Sequence, residues 1–142
     1  KGTMAVPLPT WLPADFKLEE IIAKVGAKTP IQDRVFTVVY SKKIADGKVQ
    51  RFAIDAGFDG LGDLMYEPTK TLKTAVGNVI LIYEPKDEDG TILKNYVMTE
   101  WIPLGKYAFH YVGVYGSEDN DPSLSMISMA ETVKILKSLK KY

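Results

Sequence analysis

The segment from Asp33 to Gly57, "DRVFTVVYSKKIADGKVQRFAIDAG", constrains the fold more than any other part of the chain. Its two halves are rich in β-branched and aromatic residues, which favour strands, and "KVQRFAIDAG" alternates between apolar and polar positions. The two halves are separated by Asp46-Gly47, a dipeptide typical of tight hairpin turns. This segment therefore predicts an antiparallel hairpin.

Three later segments also have the composition of strands: "NVILIYEP", "ILKNYVMTEWI" and "GKYAFHYVGVYG". Asp89-Gly90 predicts a second hairpin turn between the first two, and "IPLG" joins the second to the third. The glycine-punctuated stretch "FDGLGDLMYEPTKTLKT" is expected to be irregular. Together these segments predict an antiparallel meander sheet of about five strands.

The C-terminal region has the pattern of an amphipathic helix from about Ser125 to Lys140. Ser128 and Glu131 have the spacing of a capping box, and an apolar stripe follows them. The fold class predicted is α+β, with the sheet covered on one face by this helix.

A second, short helix is predicted near the N-terminus. Leu18, Ile21, Ile22 and Val25 fall at helical spacing, and Asp15 could cap them. A strand is the alternative for the same residues.

The start of the chain is rich in proline. Pro7 and Pro9 predict an extended lead-in over residues 1–10, either loose or docked, because proline fixes φ and lacks an N–H donor. Trp11 and Phe16 then supply apolar side chains for packing. Residues 11–142 are predicted to form a single α+β domain, as this length allows.

Composition argues against several classes of function. Eighteen basic and 18 acidic residues give a net charge of zero, which disfavours nucleic acid or an anionic membrane as the main partner. With no cysteine, disulfides, thiol catalysis and thiolate metal sites are excluded. No apolar run approaches the roughly 18 residues that span a bilayer. Because the chain begins at Lys1 without Met, we expect a processed piece whose membrane anchor lay upstream.

No catalytic motif stands out in the sequence. His110 is the only histidine, and alternation places it on the face opposite Phe109 and Tyr111. No serine nucleophile motif accompanies it, and the spacing of Asp55, Asp59 and Asp63 does not fit a calcium loop. We therefore predict no catalytic residue, no metal site and no cofactor. A minor alternative is an enzyme that uses Asp55 with Glu67, or Glu100 with His110, as an acid–base pair.

Aromatic side chains recur at every second residue of the last strand-like segment. Tyr107, Phe109 and Tyr111 share one face, and Trp101 lies on the neighbouring segment. Such a row is most often core, but it could also bind an apolar ligand. These four residues are the candidate ligand-binding set.

Three pieces of the chain resemble a known family. They are "PTWLPADFKLEEI", "FTVVYSKKIADGKVQRFAI", and "VMTEWIPLGKYAFHYVGVYG" with the later "SMAETVKILKSL". Together they resemble a bacterial exported domain of unknown function, found at the C-terminal ends of membrane-tethered anti-sigma factors and in sporulation-associated lipoproteins. The resemblance implies an extracytoplasmic domain without catalytic activity, tethered through an upstream segment. It implies no functional residues.

We therefore expect a non-enzymatic sensing or binding module at the bacterial cell surface, with a protein or a cell-wall component as its partner. The alternative is a carrier of an apolar small molecule. Its cavity would lie between sheet and helix and would be lined by Met129 and the four aromatic residues of the ligand-binding set.

Overall fold

The computed structural model describes residues 6–24, 28–58, 66–115 and 124–141. These residues form ten strands and one α-helix. The strands are β1 (Pro7–Pro9), β2 (Lys17–Lys24), β3 (Val35–Lys43), β4 (Val49–Phe58), β5 (Lys70–Thr74), β6 (Gly77–Tyr83), β7 (Val97–Thr99), β8 (Ile102–Leu104), β9 (Tyr107–Val112) and β10 (Leu139–Lys141), and the helix is α1 (Met129–Lys137).

Eight of the strands form one sheet in the order β2-β3-β4-β9-β7-β6-β5, with β8 paired to β9 outside this path. All pairs of neighbouring strands are antiparallel. The predicted α+β class, an antiparallel sheet with a C-terminal helix, is confirmed. The predicted count of five strands is wrong, because three more strands join the sheet: β2 replaces the predicted N-terminal helix, β5 forms in the stretch expected to be irregular, and β8 forms within "IPLG".

The sheet is also not a simple meander. A meander would place β5 beside β4, whereas β9 occupies that position and β5 lies at the far edge. The predicted hairpin of β3 and β4 is present, and its turn places both Asp46 (φ 64°) and Gly47 (φ 71°) in the left-handed region that such turns require.

The predicted N-terminal helix is wrong, because Lys17–Lys24 is the edge strand β2. Its apolar residues Leu18, Ile21 and Ile22 do not pack as a buried helical stripe, since all three are exposed. Pairing with Val35–Ser41 of β3 provides hydrogen bonds along one side of β2 instead, and this tertiary contact outweighs a helical pattern of so few residues.

Helix α1 has the predicted cap at Ser128 but is shorter than the predicted span of about Ser125 to Lys140, because it begins at Met129 and gives way after Lys137 to β10. The hydroxyl of Ser128 accepts a hydrogen bond from the Glu131 N–H at 3.2 Å. Ile135 and Leu136 of α1 are fully buried against the sheet. Among the described residues, no helix has the length and apolarity to cross a membrane.

The two faces of the sheet differ in character. The helix face, which packs against α1, carries the core, including Phe52, Ile54, Phe109 and Tyr111. We call the opposite side the distal face. By strand alternation it carries Thr37 on β3, Asp55 on β4 and His110 on β9. The helix face therefore builds the main hydrophobic core. The distal face carries these polar side chains together with buried apolar ones, among them Val39 and Ala53.

The two halves of the sheet meet at a narrow seam between β7 and β9. Only Met98 and Val112 pair in register there. The seam is completed by a hydrogen bond from the Gly113 N–H to the Val97 carbonyl at 2.7 Å and one from the Tyr111 N–H to the Thr99 hydroxyl at 2.9 Å.

The proline-rich start of the chain is docked against its end. Strand β1 pairs with β10, with Pro7 opposite Lys141. The Thr10 hydroxyl donates to the Ser138 carbonyl at 2.7 Å, and the Lys134 ammonium lies 4.6 Å from the centre of the Trp11 ring. Residues 7–11 are thereby held against the C-terminal region.

Candidate functional site

A row of side chains crosses the distal face at one level of four adjacent strands. Ile22 of β2 is the register partner of Thr37, Thr37 is that of Asp55, and Asp55 is that of His110. Directly paired residues of antiparallel strands have Cβ atoms about 5 Å apart, so their side chains can interact. We call Thr37, Asp55, His110 and the adjacent Trp101 the polar row.

Both oxygens of the Asp55 carboxylate have partners in the polar row. The Thr37 hydroxyl donates to Oδ1 at 2.6 Å, and His110 Nε2 lies 3.3 Å from Oδ2. The carboxylate is partly shielded, because its side chain is 24% exposed and that of His110 is 11% exposed. If His110 Nε2 carries its proton, it donates to Asp55, and the carboxylate then accepts two hydrogen bonds.

Trp101 extends the polar row beyond His110. Its ring centroid lies 3.9 Å from that of His110, and the two planes differ by 11°. Trp101 directly precedes β8, which pairs with β9, and this connection places the indole beside the imidazole. The half-buried indole thereby forms a flat aromatic surface at the end of the polar row, with His110 between it and the Asp55 carboxylate.

The second imidazole nitrogen of His110 is buried. Nδ1 has no hydrogen-bond partner among the described residues and is shielded from solvent. Neither nitrogen therefore faces an open space, since Nε2 is directed at Asp55. In this arrangement the histidine is suited to stacking and to positioning its neighbours.

A second group of charged side chains lies near the polar row. Arg51 Nε is 3.0 Å from Glu19 Oε1. A hydrogen bond from Ser41 lowers the pKa of Glu19, and Arg51 adds to that effect against the opposing influence of burial. Burial raises the pKa of Tyr115, and the negative charge of Asp55 raises it further. Tyr115 therefore stays protonated, and its hydroxyl can donate a hydrogen bond near the row.

The structure separates the four residues of the predicted ligand-binding set. Tyr107, Phe109 and Tyr111 are buried on the helix face, where Phe109 and Tyr111 are 1% and 0% exposed. Trp101 stacks on His110 on the distal face. The cavity proposed for an apolar ligand would need all four side chains on one side of the sheet, and they are not. A ligand-binding role for each residue stays a prediction.

The acid–base pairs considered from the sequence are not formed either. Asp55 pairs with His110 and not with Glu67, which is exposed in the loop before β5. In the described ranges, no hydrogen bond or ion pair joins Glu100 to His110. Asp59 and Asp63 lie outside the described residues.

A separate cavity of about 560 Å³ lies among loops beyond the strand pair β5–β6. It is lined by Tyr66, Glu67, Lys86, Asp87, Glu88 and Asp89. Its Asp89 carboxylate is occupied by the turn itself, because it accepts from the Thr91 N–H and hydroxyl. No group of residues that could hold a metal ion occurs in the part of the chain that the structure describes.

Comparison of the chain with protein-family models, with curated proteins and with solved structures finds no match. The resemblance to an exported bacterial domain therefore stays a prediction. Alternation in "AFHYV" correctly places His110 opposite the aromatic rings. The pairing of His110 with Asp55 does not follow from that alternation, because it depends on β9 lying beside β4.

Proposed function

We propose that the protein is a non-enzymatic binding module that recognises a cell-wall glycan through the polar row. The observation that carries this proposal is the half-buried Trp101 ring, stacked on His110 beside the hydrogen-bonded Asp55 carboxylate. Binding sites for small polar ligands combine aromatic surface with a few oriented polar groups. A sugar ring has an apolar C–H surface and peripheral hydroxyls, which match the indole and the Thr37–Asp55 pair.

The geometry favours binding over proton transfer. A general base needs a nitrogen or oxygen within about 3 Å of the proton it removes. In His110, Nε2 is directed at Asp55 and Nδ1 is buried. Asp55 in turn accepts from Thr37 and faces His110. The groups that could transfer protons are thus engaged with one another, which supports a recognition role.

The proposed cell-surface location and the proposed glycan partner rest on features of the sequence. The family resemblance implies an extracytoplasmic domain at the bacterial surface, and cell-wall glycan is abundant there. The net charge of zero fits an uncharged or mixed-charge partner better than a strongly charged polymer. An extracytoplasmic location, attachment through an upstream membrane anchor and the absence of catalysis are parts of this proposal.

The two tryptophans of the chain allow a direct test of binding. Trp11→Phe leaves Trp101 as the single tryptophan, and Trp101→Phe leaves Trp11. Titration with soluble peptidoglycan fragments should change the tryptophan fluorescence of the Trp11→Phe variant in a saturable manner. The Trp101→Phe variant should show no change, because Trp11 lies with Lys134 on α1, away from the polar row.

Sedimentation with insoluble peptidoglycan supplies the second measurement. Wild type and Trp11→Phe should sediment with the polymer, while Trp101→Ala and Asp55→Asn should stay in solution. Circular dichroism of each variant verifies that it is folded. The proposal is wrong if Trp101→Ala sediments as well as Trp11→Phe does, or if the folded wild type never sediments.

A further inference from the structure

Strand β2 is an open edge of the sheet. Among the described residues it pairs with β3 alone, and it ends the strand order. All eight of its residues are exposed, including Leu18 and Ile21, each 53% exposed, and Ile22, 40% exposed. An edge strand presents unpaired N–H and C=O groups that another strand can extend. A long edge with exposed apolar side chains therefore calls for a partner or for a device that blocks pairing.

A bulge limits how much of β2 can pair. The register with β3 shifts between Leu18 and Glu20, and Glu19 at the shift turns to Arg51 of its own chain. A bulge interrupts the regular backbone geometry of an edge strand, so the bulged part cannot pair regularly with another strand. Regular pairing with β3 continues from Glu20 to Lys24. Only this five-residue segment, "EIIAK", offers a continuous edge.

The segment Glu20–Lys24 is complementary to itself when it runs antiparallel. With Ile22 opposite Ile22 of a second copy, Glu20 lies opposite Lys24 of that copy, and Lys24 opposite its Glu20. Both charge pairs and the isoleucine pair are then on the distal face, because positions 20, 22 and 24 share one side of the strand. Ile21 lies opposite Ala23 of the second copy on the helix face.

We propose that a second copy of this chain binds at β2, with its Glu20–Lys24 segment antiparallel and Ile22 on the two-fold axis. Opposite charges on directly facing residues stabilise a strand pair, and like charges destabilise it. Pairing the whole strand end to end is disfavoured, because it would oppose Lys17 to Lys24. The register centred on Ile22 avoids that repulsion and leaves the bulge outside the interface.

The symmetry has a simple geometric result. A two-fold axis perpendicular to the sheet keeps α1 of both copies on the same side and joins the two sheets into one. The level of the sheet that contains Ile22 also contains Thr37, Asp55 and His110. The two polar rows of the dimer would therefore lie in line across the axis. The interface itself depends only on β2 and not on what the polar row binds.

Charge reversal provides a specific test by analytical ultracentrifugation. The strand edge is small, so we expect a dissociation constant on the order of 0.1 mM for the wild type. Glu20→Lys or Lys24→Glu alone should weaken the dimer by about tenfold or more, since each creates two like-charge pairs across the axis. An equimolar mixture of the two variants should form a heterodimer, because opposite charges then face each other again. The double variant Glu20→Lys/Lys24→Glu should also dimerise.

Matched controls reverse charges elsewhere. Glu88 and Lys94 lie in the exposed loop between β6 and β7. The variants Glu88→Lys and Lys94→Glu should therefore dimerise as the wild type does. Thermal unfolding verifies that every variant is folded. The inference is overturned by a wild type that is monomeric up to about 1 mM, roughly ten times the expected constant. It is equally overturned by a dimer that tolerates Glu20→Lys or by a variant mixture that fails to associate.

Discussion

Replacing Gly113 by alanine tests whether the seam between β7 and β9 is as closely packed as the structure shows. A Cβ atom at this position would lie 2.5 Å from Val97 Cγ1, 2.7 Å from Val97 Cβ and 2.9 Å from Tyr111 Cε1. Rotation of the valine side chain can move Cγ1, but its Cβ is fixed to the backbone. Relief therefore requires that β7 and the chain after β9 separate, against the 2.7 Å hydrogen bond from the Gly113 N–H to the Val97 carbonyl.

The expected size of the effect follows from two opposing contributions. Overpacking in a closely packed region costs about 1–3 kcal/mol. Replacing glycine by alanine also stabilises by about 0.4–1 kcal/mol, because the unfolded chain loses conformational freedom. Because all three contacts are shorter than 3.0 Å, the overpacking cost falls in the upper half of its range, and we expect Gly113→Ala to lower the free energy of unfolding by about 1–2.5 kcal/mol. Urea denaturation followed by circular dichroism measures this difference.

Gly57 on β4 provides the matched control. A Cβ atom there would meet only the Arg34 carbonyl oxygen, at 3.8 Å, so Gly57→Ala should be neutral or slightly stabilising. Val97→Ala removes the closest clashing atom. The double variant Val97→Ala/Gly113→Ala should thus lose less stability than the sum of the two single variants. Equal stability of Gly113→Ala and Gly57→Ala would refute the close approach at the seam.

Four further predictions concern buried polar groups and titrating groups. Thr99→Val should lower the free energy of unfolding by about 1–3 kcal/mol, because it leaves the buried Tyr111 N–H unpaired. Thr99→Ser keeps the hydroxyl and should retain most of the stability in the same urea titration. Tyr111→Phe should leave stability unchanged or raise it by up to about 1 kcal/mol at neutral pH, since the buried hydroxyl lies near Thr132 but forms no hydrogen bond of regular geometry among the described residues. A loss of more than about 1 kcal/mol would contradict this. Burial raises the pKa of Tyr111, so the wild type should lose stability as pH rises above the tyrosine value of about 10 in the unfolded chain, and Tyr111→Phe should lose less over that range. The pKa of Glu19 is lowered in the folded protein. Its contribution to stability should therefore be present above about pH 4.3, the pKa in the unfolded chain, and disappear as pH falls through the lower pKa of the folded state. Glu19→Gln should show a smaller loss of stability in acid.

The features of the fold that could be predicted from sequence are those specified by neighbouring residues. The turn at Asp46-Gly47 and the cap at Ser128 each depend on a few adjacent side chains, and both are present. Strand β2 could not be assigned in this way. Its spacing of Leu18, Ile21 and Ile22 fits a helix, and only its pairing with β3 makes it a strand.

The polar row shows why the site was harder to predict than the fold. Period-two alternation placed His110 on the face opposite Phe109 and Tyr111, as the structure confirms. Its partner Asp55 is 55 residues away in sequence, and the two meet only because β9 lies next to β4. Strand order is a long-range property that no local pattern encodes. The same limitation applies to Trp101, because the sequence groups it with the aromatic rings of β9 and the structure stacks it on His110.

The pairing of β1 with β10 determines how the domain would respond to mechanical load. Pro7 and Lys141 are opposite each other, so the first residue of β1 and the last residue of β10 lie at the same end of the strand pair. A force that pulls these two residues apart would break the hydrogen bonds between β1 and β10 one after another, instead of loading all of them together. Under such a force the β1–β10 pair would separate first, while the eight-stranded sheet stays intact.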